Sequence, residues 1–563
     1  MGLISHIART RRVKCDEGRP GCARCEKFGI ICQGYLVPGQ KAQPVTKPLF
    51  PKQTFAPLAA TSHAEPARAQ DQPRSGFRLV YPLMYAGAHF SDEQEYRYFH
   101  FYCHEVASQL SRPYGTQLWE RLIPQAGVID QFIVHAIIAL GAVCKARAEV
   151  PSPLDSRSVP PSNHYRYALT EYSKALRGMR ASLTGRPDDI RKAVIGCLLI
   201  FCFETLQANE LVASIHASQL MSLVQHTQRG SNTGNRPTLS YASLQLEEEF
   251  YGALSGLDIQ NLLYLDGRPR DIHTKYKEEL NAALTNLPER FVAIKESRDY
   301  LQLIMQRNLH FIVEAKSRAR IDQRDLSGHP LCGVPPEMAT WSHTSEERPQ
   351  IPPGIIAERD QYMEDIYQWE RASKPFFDKE IPADDTNSEL FLISNLLLVH
   401  AAMNTIILYR IFQPPETGYD AFLPQFQTVV SCSAAVHHLL TTPIAHSSSP
   451  VFRFDVGIIP ALSQAGILCR DSGVRRRAVE LLMSQPRYRE GIWQSVAAGM
   501  IADWIRGLEE SWLDENGYVP GNRRASLIHV DSGFHERWVK VACLQRDGKD
   551  GNGFEMKEAV LSW

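Results

Sequence analysis

The chain has 563 residues, 61 Lys and Arg against 62 Asp and Glu, a net charge of −1, 44% hydrophobic residues and a mean hydropathy of −0.26. These values exclude a wholly disordered or collagen-like chain, and the length exceeds what one compact domain usually holds. The charge is placed unevenly: residues 1–35 carry seven basic and three acidic side chains, so the head is +4 and the remainder −5, the asymmetry of a nucleic-acid-binding arm on a near-neutral body.

The head is organised around Arg9 to Tyr35. Cys15, Cys22, Cys25 and Cys32 follow the spacing Cys-x6-Cys-x2-Cys-x6-Cys about a Gly18-Arg19-Pro20 turn. Thiols at that spacing are metal ligands, because so few apolar side chains cannot make a core and a thiolate-bound zinc supplies roughly 10 to 16 kcal/mol of folding free energy. The basic run Arg9, Arg11, Arg12 and Lys14 precedes the first cysteine, and Arg19, Arg24 and Lys27 interleave with the rest. An Arg fork can donate to guanine O6 and N7 together, whereas phosphate neutralisers give affinity without sequence information. A solvated basic stretch or a nuclear-import signal is compatible with the same residues.

This stretch resembles the zinc binuclear cluster (Zn2Cys6) of fungal transcription factors, with the pattern Cys-x2-Cys-x6-Cys-x6-Cys-x2-Cys-x6-Cys. The resemblance implies that Cys15, Cys22, Cys25 and Cys32 are the last four of six ligands holding two zincs. It also implies that Arg11 and Arg12 read a CGG-type triplet in double-stranded DNA, with Arg9, Lys14, Arg19, Arg24 and Lys27 on phosphates. Pro20 stands at the family's loop proline. The first two ligands fall at positions 5 and 8, which are Ser5 and Ala8 here. Agreement is complete from Arg9 onward and absent before it. A misassigned first exon gives such an edge; genuine loss is the other reading, under which four cysteines hold at most one zinc and the chain is a DNA-binding-deficient interaction protein.

From Leu36 to about residue 90 prolines recur at 38, 44, 48, 51, 57, 66, 73 and 82, which reads as a linker. No heptad run survives them, so a dimer would have no coiled coil to form it. Order resumes at Ser91, an N-cap with Gln94 three residues on. Apolar periodicity predicts helices over 91–110, 119–149, 164–183, 187–226, 244–265, 274–320 with a break near Pro288, 357–373, 388–412, 420–441 and 456–512. Leu390 to Tyr409 is interrupted by Asn395, His400 and Asn404, so a buried helix is expected there and no membrane span. His135 and His400 read as core histidines bonded to backbone. The body resembles the middle-homology type of fungal-specific transcription factor domain, in Trp119, His135-Ala136, Leu140-Gly141, Phe203-Glu204 and the Cys469 to Trp493 segment. For the arginines of that segment, ion pairs between helices are expected before anion binding.

The last residues change period. SLIHV, RWVKVACL and FEMKEAV read as short strands. The expectation is therefore a mainly α chain: a zinc-cluster head over 1–35, a linker over 36–90, a helical regulatory domain over 91–520 and an extension with short strands over 521–563. Phosphate-loop, nucleophile-elbow, dinucleotide and zinc-protease motifs are missing, and no apolar leader is seen. The reading is a nuclear, non-enzymatic regulator of RNA polymerase II genes, including metabolic or biosynthetic clusters, open to a co-regulator or small-molecule inducer.

Overall fold

A computed structural model describes residues 90–114, 117–149, 162–184, 189–228, 248–264, 266–318, 351–381, 386–411, 416–442, 450–515, 517–546 and 554–563. The head expectation and the linker expectation up to residue 89 lie outside the described residues.

The chain enters through α1 (Glu93–Phe101), which passes by a π-turn (Tyr102–Val106) into α2 (Ala107–Ser111). The cap is one residue later than Ser91 suggests. The Asp92 carboxylate accepts the Glu95 amide at 2.8 Å, while the Glu95 carboxylate accepts the Ser91 amide at 2.6 Å. This reciprocal pair is the capping box, and it draws Glu95 into the interior. A second π-turn (Leu118–Leu122) leads to α3 (Ile123–Ile129) and α4 (Gln131–Ala148). Then come α5 (Asn163–Ser182), α6 (Asp189–Leu206), α7 (Glu210–Gln228) and α8 (Glu248–Tyr264). The stretch predicted as helical over 187–226 is thus two helices. Ala208 at φ +63° turns the chain, and the Glu204 carbonyl takes the Asn209 amide at 2.9 Å, closing α6 without glycine or proline.

The next group is α9 (Arg270–Leu284), α10 (Ile294–Arg318), α11 (Pro353–Glu380), α12 (Glu389–Arg410) and α13 (Leu423–Thr441). Helix α12 is the apolar segment weighed as a span, and 72% of its most apolar window is buried in protein. Its polar residues find partners there, though not for every atom: Asn404 Oδ1 accepts from Asn308 at 2.8 Å while its Nδ2 has no partner, and His400 Nε2 lies 3.0 Å from the Gly457 carbonyl. His135 departs from expectation. Its Nδ1 meets the Glu171 carboxylate at 2.7 Å rather than a backbone group, because α5 lays a buried acid against α4.

Residues 456–512 are not continuously helical. After β1 (Phe452–Arg453) come α14 (Ile459–Leu468), α15 (Ser472–Ser484), the tight hairpin β2 (Arg489–Glu490) and β3 (Trp493–Gln494), and α16 (Ser495–Glu510). Strand β1 runs parallel to β2, and β2 antiparallel to β3. Gly491 at φ +51° makes the turn, and a Cβ there would collide with the Gln260 side chain. The chain ends in a three-stranded antiparallel sheet in the order β4 (Ala525–Gly533), β5 (Trp538–Arg546), β6 (Phe554–Ser562). Its inner face, with Val530, Val539, Val541 and Cys543, joins the same core as the helices. Among the described residues Cys103, Cys144, Cys197, Cys202, Cys432, Cys469 and Cys543 are free thiols.

Candidate functional site

Every metal and DNA residue expected from the sequence, from Arg9 to Cys32, lies outside the described residues. What can be built from geometry is the polar machinery inside the helical body.

A cavity of about 40 Å³ sits where α8, α10 and α12 meet the bend between β1 and α14. That is room for two or three waters at roughly 10 to 15 Å³ each. Gly256 on α8 leaves space for the Asp455 carboxylate, which would stand 2.9 Å from a Cβ there. Arg298 and Gln302 from α10, Tyr114 and His400 complete the polar lining. Asp455 takes no hydrogen bond from any described residue; burial pushes its carboxyl up to about 7, and the nearby Arg298 guanidinium only partly opposes this. Arg298 is engaged by Asp299 at 2.9 Å and lies 5.0 Å from the Tyr114 ring centroid. Burial lowers His400 to about 4, so its imidazole is neutral at pH 7. The cavity therefore offers a carboxyl raised toward neutrality beside a guanidinium, a phenol and a neutral imidazole.

Immediately behind it, one carboxylate organises the start of α14. Glu490 accepts the amides of Gly457, Ile458 and Ile459 at 3.0, 2.8 and 2.9 Å and the Tyr488 hydroxyl at 2.7 Å. Three backbone donors at a helix N-terminus and one buried hydroxyl are thereby satisfied. This gives Glu490 and Gly491 of the family-like segment a concrete role.

The arginines of that segment are paired, as expected. Glu509 on α16 is fully buried and accepts from Arg470 at 2.7 Å, from Arg475 at 2.5 Å and from the Ala525 amide at 2.7 Å. Arg470 also reaches Glu416 at 2.8 Å, and Arg476 reaches Glu510 at 2.8 Å. Asp471 caps α15 by accepting the Val474 amide at 2.8 Å. A third buried network links Asp258, Asp266, Arg268, His273 and His310 across α8 to α10. Burial would raise the Asp258 carboxyl, but Arg268 and His310 hold it well below the usual range.

Among the described residues one trio has metal-ligand composition: Glu95, His135 and Glu171, with ligand atoms within 4.8 Å of one another. Lys174 already fills that role, with its ammonium 2.7 Å from Glu171 and 3.5 Å from Glu95. His100 and His104 stack at 4.0 Å on α1 and the π-turn without forming such a group. Sequence reasoning missed Asp455, Asp258 and Glu509; their partners are remote in the chain, and no local spacing marks them.

Residues 9–42 match the fungal Zn(2)-Cys(6) binuclear cluster domain, a stretch that includes all four head cysteines and all seven head cations. With the two relatives below, this match supports a DNA-binding regulator of transcription, similar to the fungal zinc-cluster factors, and not an enzyme. It is 25% identical over 566 aligned positions, 86% of its length and 84% of the relative's, to the aspercryptin biosynthesis cluster-specific transcription regulator atnN of Emericella nidulans. Over 240 positions, 42% of this chain and 50% of the relative, it is 25% identical to the transcription regulator lscL of Purpureocillium lilacinum. No solved structure matches it.

Proposed function

We propose that the protein works in the nucleus as a sequence-specific regulator of a biosynthetic gene cluster, binding CGG-containing duplex through its head. Cys15, Cys22, Cys25 and Cys32 are the zinc ligands of this reading, a donor set of four thiolates that suits one tetrahedral ion and, with two more thiolates, a binuclear cluster. Arg11 and Arg12 read guanines; Arg9, Lys14, Arg19, Arg24 and Lys27 neutralise phosphates. Residues 1–35 are the DNA-binding unit, 36–90 the spacer, 91–520 the regulatory domain and 521–563 its extension. The observation that carries the proposal is the coincidence of cysteine spacing and basic run inside the stretch that matches the zinc-cluster family. The printed role of the Emericella nidulans relative supports the gene-cluster assignment. A co-regulator or inducer acts through the helical body, and the Asp455 cavity is the place in it suited to the polar end of a small ligand.

The test combines zinc analysis of the full-length protein with fluorescence anisotropy on CGG duplex. Bound zinc, with Arg12→Ala weakening that duplex by about 1 to 3 kcal/mol while sparing non-specific DNA, is the expected result. Five phosphate contacts imply a slope of log K against log salt near about −4.5. Ser5 and Ala8 favour a second reading, an interaction protein without DNA readout. Sequencing the 5′ end of the native transcript separates the two. If it encodes Ser5 and Ala8, and the protein holds at most one zinc with equal affinity for CGG and scrambled duplex, the second reading stands.

A further inference from the structure

The C-terminal sheet has two edges of different character. Strand β4 is largely buried, with its first residue held by Glu509 and a bulge between Leu527 and His529. Strand β6 is the opposite edge, nine residues paired to β5 without a register shift, and no described strand pairs with its outer side. It contains no proline and no bulge, two of the devices that block an edge, and its charges are of both signs, at Glu555, Lys557 and Glu558. Its outward face instead carries exposed apolar side chains, Phe554 at 37%, Met556 at 39% and Val560 at 66%.

The backbone polarity of this edge follows from one bond. The Trp563 amide donates to the Arg537 carbonyl at 3.1 Å, so odd-numbered residues turn their N–H and C=O toward β5. By alternation Phe554, Met556, Glu558, Val560 and Ser562 turn theirs outward. We propose that two copies of this chain associate by antiparallel pairing of β6 with the partner's β6, about a two-fold axis at Glu558, into one continuous six-stranded sheet. In that register all nine residues overlap, and Met556 faces the partner's Val560 twice on the outer face. The two Glu558 carboxylates meet at the axis, each with its own Lys540 ammonium at 3.5 Å to offset the repulsion. Centring the pair on Lys557 sets two lysines face to face and shortens the overlap; centring it on Met556 leaves Val560 uncovered. Pattern and charge thus select one register. The association is independent of the DNA reading, and it supplies a dimer that the proline-rich linker does not.

The test is sedimentation equilibrium of the full-length protein from nanomolar to high micromolar concentration. The expected mass is twice 63.5 kDa. Met556→Lys with Val560→Lys places four lysines in the seam and raises the dissociation constant on the order of a hundredfold, with the far-UV circular dichroism unchanged. Independently, Glu558→Cys sets two thiols at the axis, where a hydrogen-bonded pair has Cα atoms about 5.5 Å apart, within disulfide reach. Mild oxidation then links two chains, whereas Asp531→Cys on β4 does not. A single-chain mass throughout overturns the proposal, as does a dimer unaffected by the lysines, or Glu558→Cys cross-linking no better than Asp531→Cys.

Discussion

Removing the Glu509 carboxylate should be among the most damaging single changes to the helical body. It is fully buried and holds Arg470, Arg475 and the first residue of β4 together. Burial pulls the Arg470 guanidinium down, and Glu509 with Glu416 more than reverses this; Arg475 stays below its usual range. In Glu509→Ala, Arg470 keeps Glu416, but Arg475 keeps only the Ile467 carbonyl at 3.3 Å, and its Nε and Nη1 have no partner to begin with. An uncompensated buried cation costs about 3 to 5 kcal/mol. Urea denaturation of the full-length protein, followed by tryptophan fluorescence, reads this as a lowered midpoint. Replacing both members, Glu509→Met with Arg475→Met, removes the stranded charge and should recover at least half of the loss. A cost under about 1 kcal/mol for Glu509→Ala, or simple additivity in the double variant, would refute the reasoning.

Asp455 and His400 should give opposite pH signatures although both face one cavity. The Asp455 carboxyl, raised to about 7, keeps its proton in the folded state after the unfolded chain has lost it, so its contribution falls as pH rises from about 4 to 7 and is flat above. Asp455→Asn should therefore gain on the parent across that window, by no more than about 1.4 kcal/mol per pH unit, in denaturation midpoints at stepped pH. His400, lowered to about 4, takes its proton first in the unfolded chain, so its contribution is lost as pH falls from about 6.5 to 4. His400→Gln should lose that acid sensitivity while His273, also near 4, retains its share. Gly141→Ala on α4 should cost about 1 to 3 kcal/mol in thermal or urea unfolding, because the new Cβ collides with the Tyr98 carbonyl where α1 crosses.

The sequence was most legible where the chemistry is local. The head's cysteines and cations lie within one short stretch, so their spacing and the resemblance it carries pointed to the domain that residues 9–42 match. Helices α4, α6 and α12 were legible because their nearly continuous apolar runs admit no other fate in a mainly α body. The α6–α7 break was not, since Gln207-Ala208-Asn209 carries no strong breaker and the turn depends on Ala208 in a left-handed conformation. The β2–β3 hairpin escaped because two-residue strands have no period to detect. Glu490 and the Arg470–Arg475 pair stood out as a pattern, but the pattern could not name Glu509 or the α14 amides as partners. Asp455 had no signal at all; what makes it distinctive is the space left by Gly256 and the helices that bury it.

One buried side chain sets a timetable for the whole body. The Arg453 guanidinium donates to the Leu440 carbonyl at 2.7 Å and to the Gln109 carbonyl at 3.1 Å, spanning 344 residues of sequence in the second bond. A ribosome adding about 5 to 20 residues per second needs roughly 20 to 70 s to cover that separation. For that interval α1 and α2 are outside the ribosome with the strand that must seat them not yet made. The front of the body therefore waits through that interval with the polar and apolar partners of its final packing still to be synthesised.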